Sequence, residues 1–341
     1  MGRYGGGGFV WHMGAHLTGS IILGLSYVKP EKFVSYVRWG LFVYFLIASL
    51  DVALTRYHVW KCNPLTPQPK RFALVTGATN GIGREIAYAL AEKKYSVIIV
   101  ARTEPILHRM RAEMELVNKP IEVEYCACDL ATSKGVQTLF DFLKEKNFVI
   151  DVLVNAAAAV EQKDFKDLPA EKVDELLHLN LMAMTKITHF IVPDMVKRGT
   201  GRILNISSLG AVASTPTAAI FGASKAYIAS FSQAINYELR STGVTATCYH
   251  AGAMEVDLND PAVSKKALTT VELSYTTVVH PKDSAKYALD ALFDVKDVAY
   301  DSYLNHLWAF LLRGLIPTRV GQALVAIAWH KPQDAVKLLK R

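Results

Sequence analysis

Residues 72–102 constrain this chain more than any other stretch. An apolar run, FALVTG, leads into the glycine-rich turn TGATNGIG at Thr76 to Gly83. The helical pattern REIAYALAEKK and a second apolar run, YSVIIVAR, follow. Two buried strands joined by one helix over about 30 residues lie parallel, with a right-handed crossover. A glycine triplet alone says little, but one bracketed by strand and helix is specific. Gly77 permits the tight turn. Gly81 and Gly83 let the backbone approach a pyrophosphate and let the helix pack on the strand. The helix N-terminus then presents N–H groups and a partial positive charge to phosphates. Thr76, Gly77, Asn80, Gly81, Ile82 and Gly83 are therefore candidate dinucleotide-binding residues. An acidic residue closing the second strand would hold a ribose 2′-hydroxyl. This chain has Arg102 there, which suits a 2′-phosphate and points to NADP(H) rather than NAD(H).

The alternation continues down the chain. IEVEYCACDL, DVLVNAA, GRILNISS and VTATCYH read as strands ending near Asp129, Asn155, Ser208 and His250. AEKVDELLHLNLMAMTKITHFIVPDMVKR and SKAYIASFSQAINYELR read as helices between them. The expected fold is α/β, a doubly wound parallel sheet of the Rossmann type in three layers. Its ligands bind at the carboxyl ends of the strands. The expected divisions are an N-terminal extension over 1–60, a linker over 61–71, the Rossmann domain over 72–300, and an apolar, basic helical extension over 301–341.

In their order and spacing these residues resemble the short-chain dehydrogenase/reductase family over roughly 72–300. TGATNGIG is similar to the family's TGxxxGxG. The resemblance implies that Asp129, with Leu130 beside it, meets the adenine, and that Asn155 and Gly252 border the cofactor. It also implies catalytic-site roles for Asn180 in LNLMA, Ser208 in NISS and Lys225 in FGASK. NISS, SKAY, FSQA and the apolar N-terminus are most similar to the membrane-bound very-long-chain 3-oxoacyl-CoA reductase and 17β-hydroxysteroid dehydrogenase branch. Within that branch the hydroxysteroid dehydrogenase-like proteins are nearest.

The departures bear on function. The family's Tyr, four residues before the Lys and 13 after the Ser, is Phe221 here. That Tyr gives its proton to the substrate carbonyl, and Phe has none to give. Loss of a general acid costs about 10²- to 10⁴-fold in rate, roughly 3–5 kcal/mol of barrier. Tyr227 lies beyond the Lys and faces elsewhere on a helix. The family's NNAG reads Asn155-Ala156-Ala157-Ala158, its PG turn reads Ala251-Gly252, and a later Thr reads Val256. The phosphate end is kept while the nicotinamide end is relaxed.

The ends of the chain differ in character from the middle. Residues 1–71 carry a charge of +6 and residues 331–341 carry +3, leaving −2 on the remainder of a chain whose formal net charge is +7. No Lys/Arg run interleaves with aromatics, so a nucleic-acid partner is not expected. Basic ends beside apolar segments suit a membrane surface. Residues 33–54 are expected to form a membrane helix, with 9–28 as a hairpin partner. Two apolar runs over 303–317 and 320–329 are too short to span and read as interfacial or docking helices. His12 and His16 share a helical face but lack acidic or Cys company, so no metal is expected. Cys62, Cys126, Cys128 and Cys248 read as reduced.

Two functional readings follow, with a third beside them. One is a non-catalytic subunit of a membrane assembly that still binds NADP(H), with membrane lipid and other subunits as partners. The other is an active NADPH-dependent reductase of a 3-oxoacyl, steroid or other lipophilic carbonyl. A nucleotide sensor is the third. The family branch implies the endoplasmic reticulum, whereas a respiratory-type assembly implies the mitochondrial inner membrane.

Overall fold

A computed structural model describes residues 30–61, 64–254, 279–314, 316, 320–322 and 325. The chain divides into two compact units, Met1–Trp60 and Lys61–Arg341.

The described residues of the first unit, 30–60, lie in helix α1, Pro30–Lys61. Its apolar side chains are exposed, Trp39 at 64% and Phe45 at 63% among them. Ser35, Tyr36, Arg38, Gly40, Tyr44 and Ser49 interrupt them. Among the described residues no helix is long and apolar enough to cross a membrane. The membrane span expected over 33–54 is therefore not supported. The hairpin partner at 9–28, His12, His16 and Cys62 lie outside the described residues.

The second unit is built on seven parallel strands, in the order β3-β2-β1-β4-β5-β6-β7. They are β1 (Arg71–Thr76), β2 (Ser96–Ala101), β3 (Val123–Ala127), β4 (Val149–Asn155), β5 (Gly201–Ser208), β6 (Val244–Ala251) and β7 (Val298–Tyr300). The helices are α2 (Gly81–Glu92), α3 (Glu104–Asn118), α4 (Ser133–Glu145), α5 (Ala170–Leu177), α6 (Met184–Arg198), α7 (Ala219–Glu238), α8 (Pro281–Phe293) and α9 (Tyr303–Gly314).

Side chains alternate along a strand, so each strand feeds two cores. Ala73 and Val75 of β1 face Ile86, Leu90, Leu107, Met110 and Leu289 from α2, α3 and α8. Phe72 and Leu74 face the other way, toward Leu139, Leu143, Ile187 and Met195 from α4 and α6. Both faces are covered, which is why the strands read as unbroken apolar runs. Leu74 is fully buried, and its truncation to Ala should cost about 2–5 kcal/mol.

The foot of the sheet, at the amino ends of its strands, is held by charge. Arg71 donates to both oxygens of buried Asp151 at 3.3 and 3.2 Å. Arg198 reaches Asp151 at 3.4 Å and pairs with Asp194. Tyr95, just before β2, donates to the Leu65 carbonyl at 2.8 Å. Burial raises that phenol to about 12, so it remains a donor. The segment leading into β1 is thus fastened at the foot, away from the carboxyl ends of the strands.

The single helix expected over 170–198 is two helices joined by a π-helical turn, His178–Ala183. Strand β7 carries only three residues and gave no pattern in the sequence. Of the two C-terminal apolar runs, α9 forms within the first, and residues 320–322 of the second are helical.

Candidate functional site

The carboxyl ends of β1 to β6 gather the expected residues at one end of the sheet. The turn after β1 is shaped by two glycines with positive φ, Gly77 at +67° and Gly81 at +54°. A Cβ on Gly77 would lie 2.7 Å from the Ala157 Cα. A Cβ on Gly81 would meet open space. A Cβ on Gly83 would strike the Gly77 carbonyl oxygen, so that glycine sets the packing of helix against turn. Asn80 caps α2 by accepting from the Gly81 N–H at 2.6 Å. The turn therefore offers a backbone cradle with room above Gly81, which fits a pyrophosphate at a helix N-terminus.

Thr76 is buried and braces the turn against the neighbouring strand. Its Oγ1 donates to the Val154 carbonyl at 3.3 Å and accepts from the N–H groups of Ala156 and Ala157 at 3.2 and 3.3 Å. Arg102 is exposed where β2 ends. Asp129 turns the chain after β3, its Oδ1 accepting from the Ala131 N–H at 3.0 Å. The Leu130 side chain is buried in the core. Together, Thr76 to Gly83, Arg102 and Asp129 could hold a dinucleotide.

Asn155 is buried behind the end of β4. Its Nδ2 donates to Thr188 Oγ1 at 3.0 Å and to Asn205 Oδ1 at 2.8 Å. Asn205 passes the chain on to Ser232 at 2.9 Å. This polar seam ties β4, β5, α6 and α7 together. Ala158, at the family's glycine position, is exposed.

The expected catalytic positions also converge, but most of their polar atoms are engaged. Asn180 sits in the π turn and is 1% exposed. Its Oδ1 accepts from the Ala159 N–H at 2.8 Å, and its Nδ2 donates to the Ala159 carbonyl at 2.9 Å and to Ser224 at 3.4 Å. Ser208 ends β5, and its Oγ accepts from the Gly210 N–H at 3.1 Å. Lys225, buried on α7, donates from Nζ to the Ile206 carbonyl at 2.8 Å. The same Nζ lies 5.4 Å from the centre of the Phe221 ring. Burial lowers the ammonium pKa to about 8, against a smaller opposing effect from Cys248. Tyr227 points away: its hydroxyl lies 3.0 Å from Thr185 Oγ1, and its ring stacks on Phe231.

Three residues here, His250, Asp301 and Asn305, were invisible to sequence reasoning. His250 is fully buried, with Nδ1 3.0 Å from the Ser208 carbonyl and Nε2 3.7 Å from Cys248 Sγ. Its ring stacks on Tyr300, which stacks on His306. Asp301 accepts from the Gly252 N–H at 2.5 Å and from Asn305 Nδ2 at 2.6 Å. Burial raises the Asp301 pKa, against the lowering effect of those two donors. A Cβ on Gly252 would lie 2.8 Å from Asp301 Oδ2. Gly252, expected as a cofactor contact, is the point where this clamp holds the turn after β6. Val256 lies outside the described residues.

A seven-stranded parallel sheet with a glycine cradle after β1 and Asn, Ser and Lys grouped beyond β4 and β5 defines a reductase fold with a dinucleotide site. Residues 71–267 match the short chain dehydrogenase family, and the chain belongs to it. A very-long-chain 3-oxoacyl-CoA reductase of Pyrenophora tritici-repentis is 32% identical over 243 residues, 69% of this chain and 66% of that one. The chain thus spans less than two thirds of that relative. The inactive hydroxysteroid dehydrogenase-like protein 1 of Homo sapiens is 32% identical over 183 residues, 53% of this chain and 54% of that one. A short-chain dehydrogenase from Sphingobium yanoikuyae, solved in complex with NADPH, shares the fold with a TM-score of 0.60 at 24% identity. That alignment covers 68% of this chain and 88% of the other.

Proposed function

We propose that this chain is a degenerate short-chain dehydrogenase that binds NADP(H) without reducing a carbonyl, and that it serves as an accessory subunit of a membrane assembly. The observation that carries the reading is Phe221. It occupies the proton donor's position beside Lys225, and among the described residues no other tyrosine takes its place. Tyr227 is turned onto α6, and Ser208 Oγ caps a backbone N–H. A hydride acceptor there would gain negative charge on oxygen with no tyrosyl proton at the family's position. When bound, NADPH would supply the hydride; the residues of this chain would cradle its phosphates and leave the carbonyl oxygen unprotonated. Arg102, exposed at the end of β2, supports the 2′-phosphate form.

Membrane association belongs to the same reading. It is supported by the exposed apolar side chains of α1, the basic ends, and relatives named for very-long-chain acyl substrates. The endoplasmic reticulum and the mitochondrial inner membrane are the two compartments that fit, and cell fractionation separates them.

A second reading has one observation in its favour. Lys225, with a pKa of about 8, holds a proton that a bridging water could pass to a lipophilic carbonyl near neutral pH. Asn180 offers such a relay little, because both ends of its amide are spent on Ala159.

The deciding experiment uses the full chain in detergent. NADPH binding is followed by fluorescence, and NADPH oxidation is followed with a 3-oxoacyl-CoA. Binding without turnover is expected. Stoichiometric turnover that disappears in Lys225→Ala would overturn the non-catalytic reading and establish the second.

A further inference from the structure

Helix α9 leaves the sheet at the same end as the candidate site. β7 ends at Tyr300 and α9 starts at Tyr303. The Asp301 clamp on Gly252 and Asn305 pins the helix beside the turn after β6. Further on, Gln322 Nε2 donates to Ser214 Oγ at 3.4 Å, on the loop joining Ser208 to α7. A Cβ on Gly321 would lie 3.6 Å from Leu312 Cδ2 and 3.8 Å from Ile316 Cγ2. The described C-terminal residues therefore border the turn after β6 and the loop that follows Ser208.

The inner face of α9 is spent on the fold, with Asn305 and Ala309 at 0% and 1% exposure. Its outer face is apolar. Tyr303, Leu304, Leu307 and Phe310 are 81%, 49%, 42% and 61% exposed. Residues three and four apart share a helical face, so 303, 307 and 310 form one stripe with 304 at its flank. Contiguous exposed apolar side chains of this kind mark a surface that another phase or partner covers.

Charge identifies the occupant. Residues 301–341 carry six Lys/Arg against two Asp, a charge of +4, whereas residues 72–300 carry 24 against 27. One of the two Asp is Asp301, buried in the clamp. In the sequence, five of the six Lys/Arg follow α9, and a second copy meeting this face would add as many again. An anionic lipid surface both neutralises the charge and takes up the apolar stripe, as interfacial helices do.

We propose that the outer face of α9 docks on an anionic bilayer, which holds the end of the sheet carrying Ser208 and Gly252 beside the lipid. The proposal rests on the membrane association put forward above, and it assigns the contact to a named face of the reductase unit.

The test uses the full chain on a Cys62→Ser background, since the three described cysteines are buried. Phe310→Cys is labelled with an environment-sensitive fluorophore. Leu116→Cys, near the end of α3 and 75% exposed, is the control. Each is mixed with phosphatidylcholine vesicles, with or without phosphatidylserine. The expected result is a blue shift at position 310, with quenching by lipid-borne quenchers. Both should be strongest with phosphatidylserine and absent at position 116. Protein that floats with vesicles while position 310 stays in water would overturn the α9 proposal and leave membrane association intact. A shift at 310 without vesicles, growing with protein concentration, would overturn it in favour of a second copy. Failure to float with any vesicle would overturn the membrane association itself, and NADPH fluorescence in the same sample reports separately on nucleotide binding.

Discussion

The Nζ of Lys225 lies 5.4 Å from the centre of the Phe221 ring, four residues earlier on the same helix. The ammonium thus rests near an aromatic face with no phenol to polarise, and its hydrogen bond goes to the Ile206 carbonyl. Phe221→Tyr places a hydroxyl at the end of that ring. If only the acid has been lost, turnover of a 3-oxoacyl-CoA should rise by about 10²- to 10⁴-fold over wild type. NADPH oxidation in steady state measures it. An unchanged rate with NADPH still bound would mean that the Ala158 side chain, or the engaged Ser208, blocks the reaction as well.

Lys225 also predicts a pH dependence of stability. Its folded pKa of about 8 lies below its ordinary value. Between the two, the unfolded chain binds more protons than the folded one, so stability rises with pH across that window and levels off above it. Lys225→Met should remove this rise. The difference between the two proteins should amount to roughly 3 kcal/mol as an upper bound. Denaturant unfolding at a series of pH values reads it directly.

The two positive-φ glycines should respond differently to the same change. Gly77→Ala forces a methyl against the backbone of Ala157 and should unfold the turn, with a clear loss in thermal stability. Gly81→Ala meets open space and pays chiefly the left-handed backbone cost, about 1–2 kcal/mol. Both should weaken NADPH binding. Only Gly81→Ala should do so with most of its stability retained, as thermal melts paired with a fluorescence titration would show.

Arg102→Asp tests the cofactor preference. Removing the cation and placing a carboxylate at the end of β2 should lower NADPH affinity by at least ~10-fold, the loss of one charge-assisted contact. It should improve NADH relative to NADPH. Competition titrations of the two nucleotides give the ratio, and an unchanged ratio would remove Arg102 from the site.

Asp301→Ala strips two donors of their acceptor at once, the Gly252 N–H and Asn305 Nδ2. A buried donor left unpaired costs about 1–3 kcal/mol. The variant should be less stable by at least that amount and should loosen the turn after β6. Hydrogen exchange at Gly252 reports the local effect and denaturant melts the global one.

The sequence exposed those parts of the fold that depend on neighbours along the chain. Runs such as FALVTG and SVIIVA are buried on both sides, and the glycine turn carries its own constraint, so β1, α2 and β2 were legible. The roles of Asn180 and Ser208 were legible only by resemblance. What their side chains touch depends on Ala159, brought in from 21 residues away, and on the local turn at Gly210. His250, Asp301 and Asn305 gave no signal, because each matters through a partner on another strand or helix. β7 was missed because three residues are too few to show a period. The apolar content of 33–54 was legible, but among the described residues no helix is long and apolar enough to cross a membrane.

The π turn at His178–Ala183 makes the placement of Asn180 a matter of residue count. One residue fewer between α5 and α6 would restore regular α-helical winding and swing position 180 by roughly 100° around the axis. Its amide would then leave Ala159, and the loop after β4 would lose its anchor. Among related chains, a one-residue gap in this stretch therefore marks a change of site architecture even where the letters of the motif survive. An unbroken count marks its retention even where they do not.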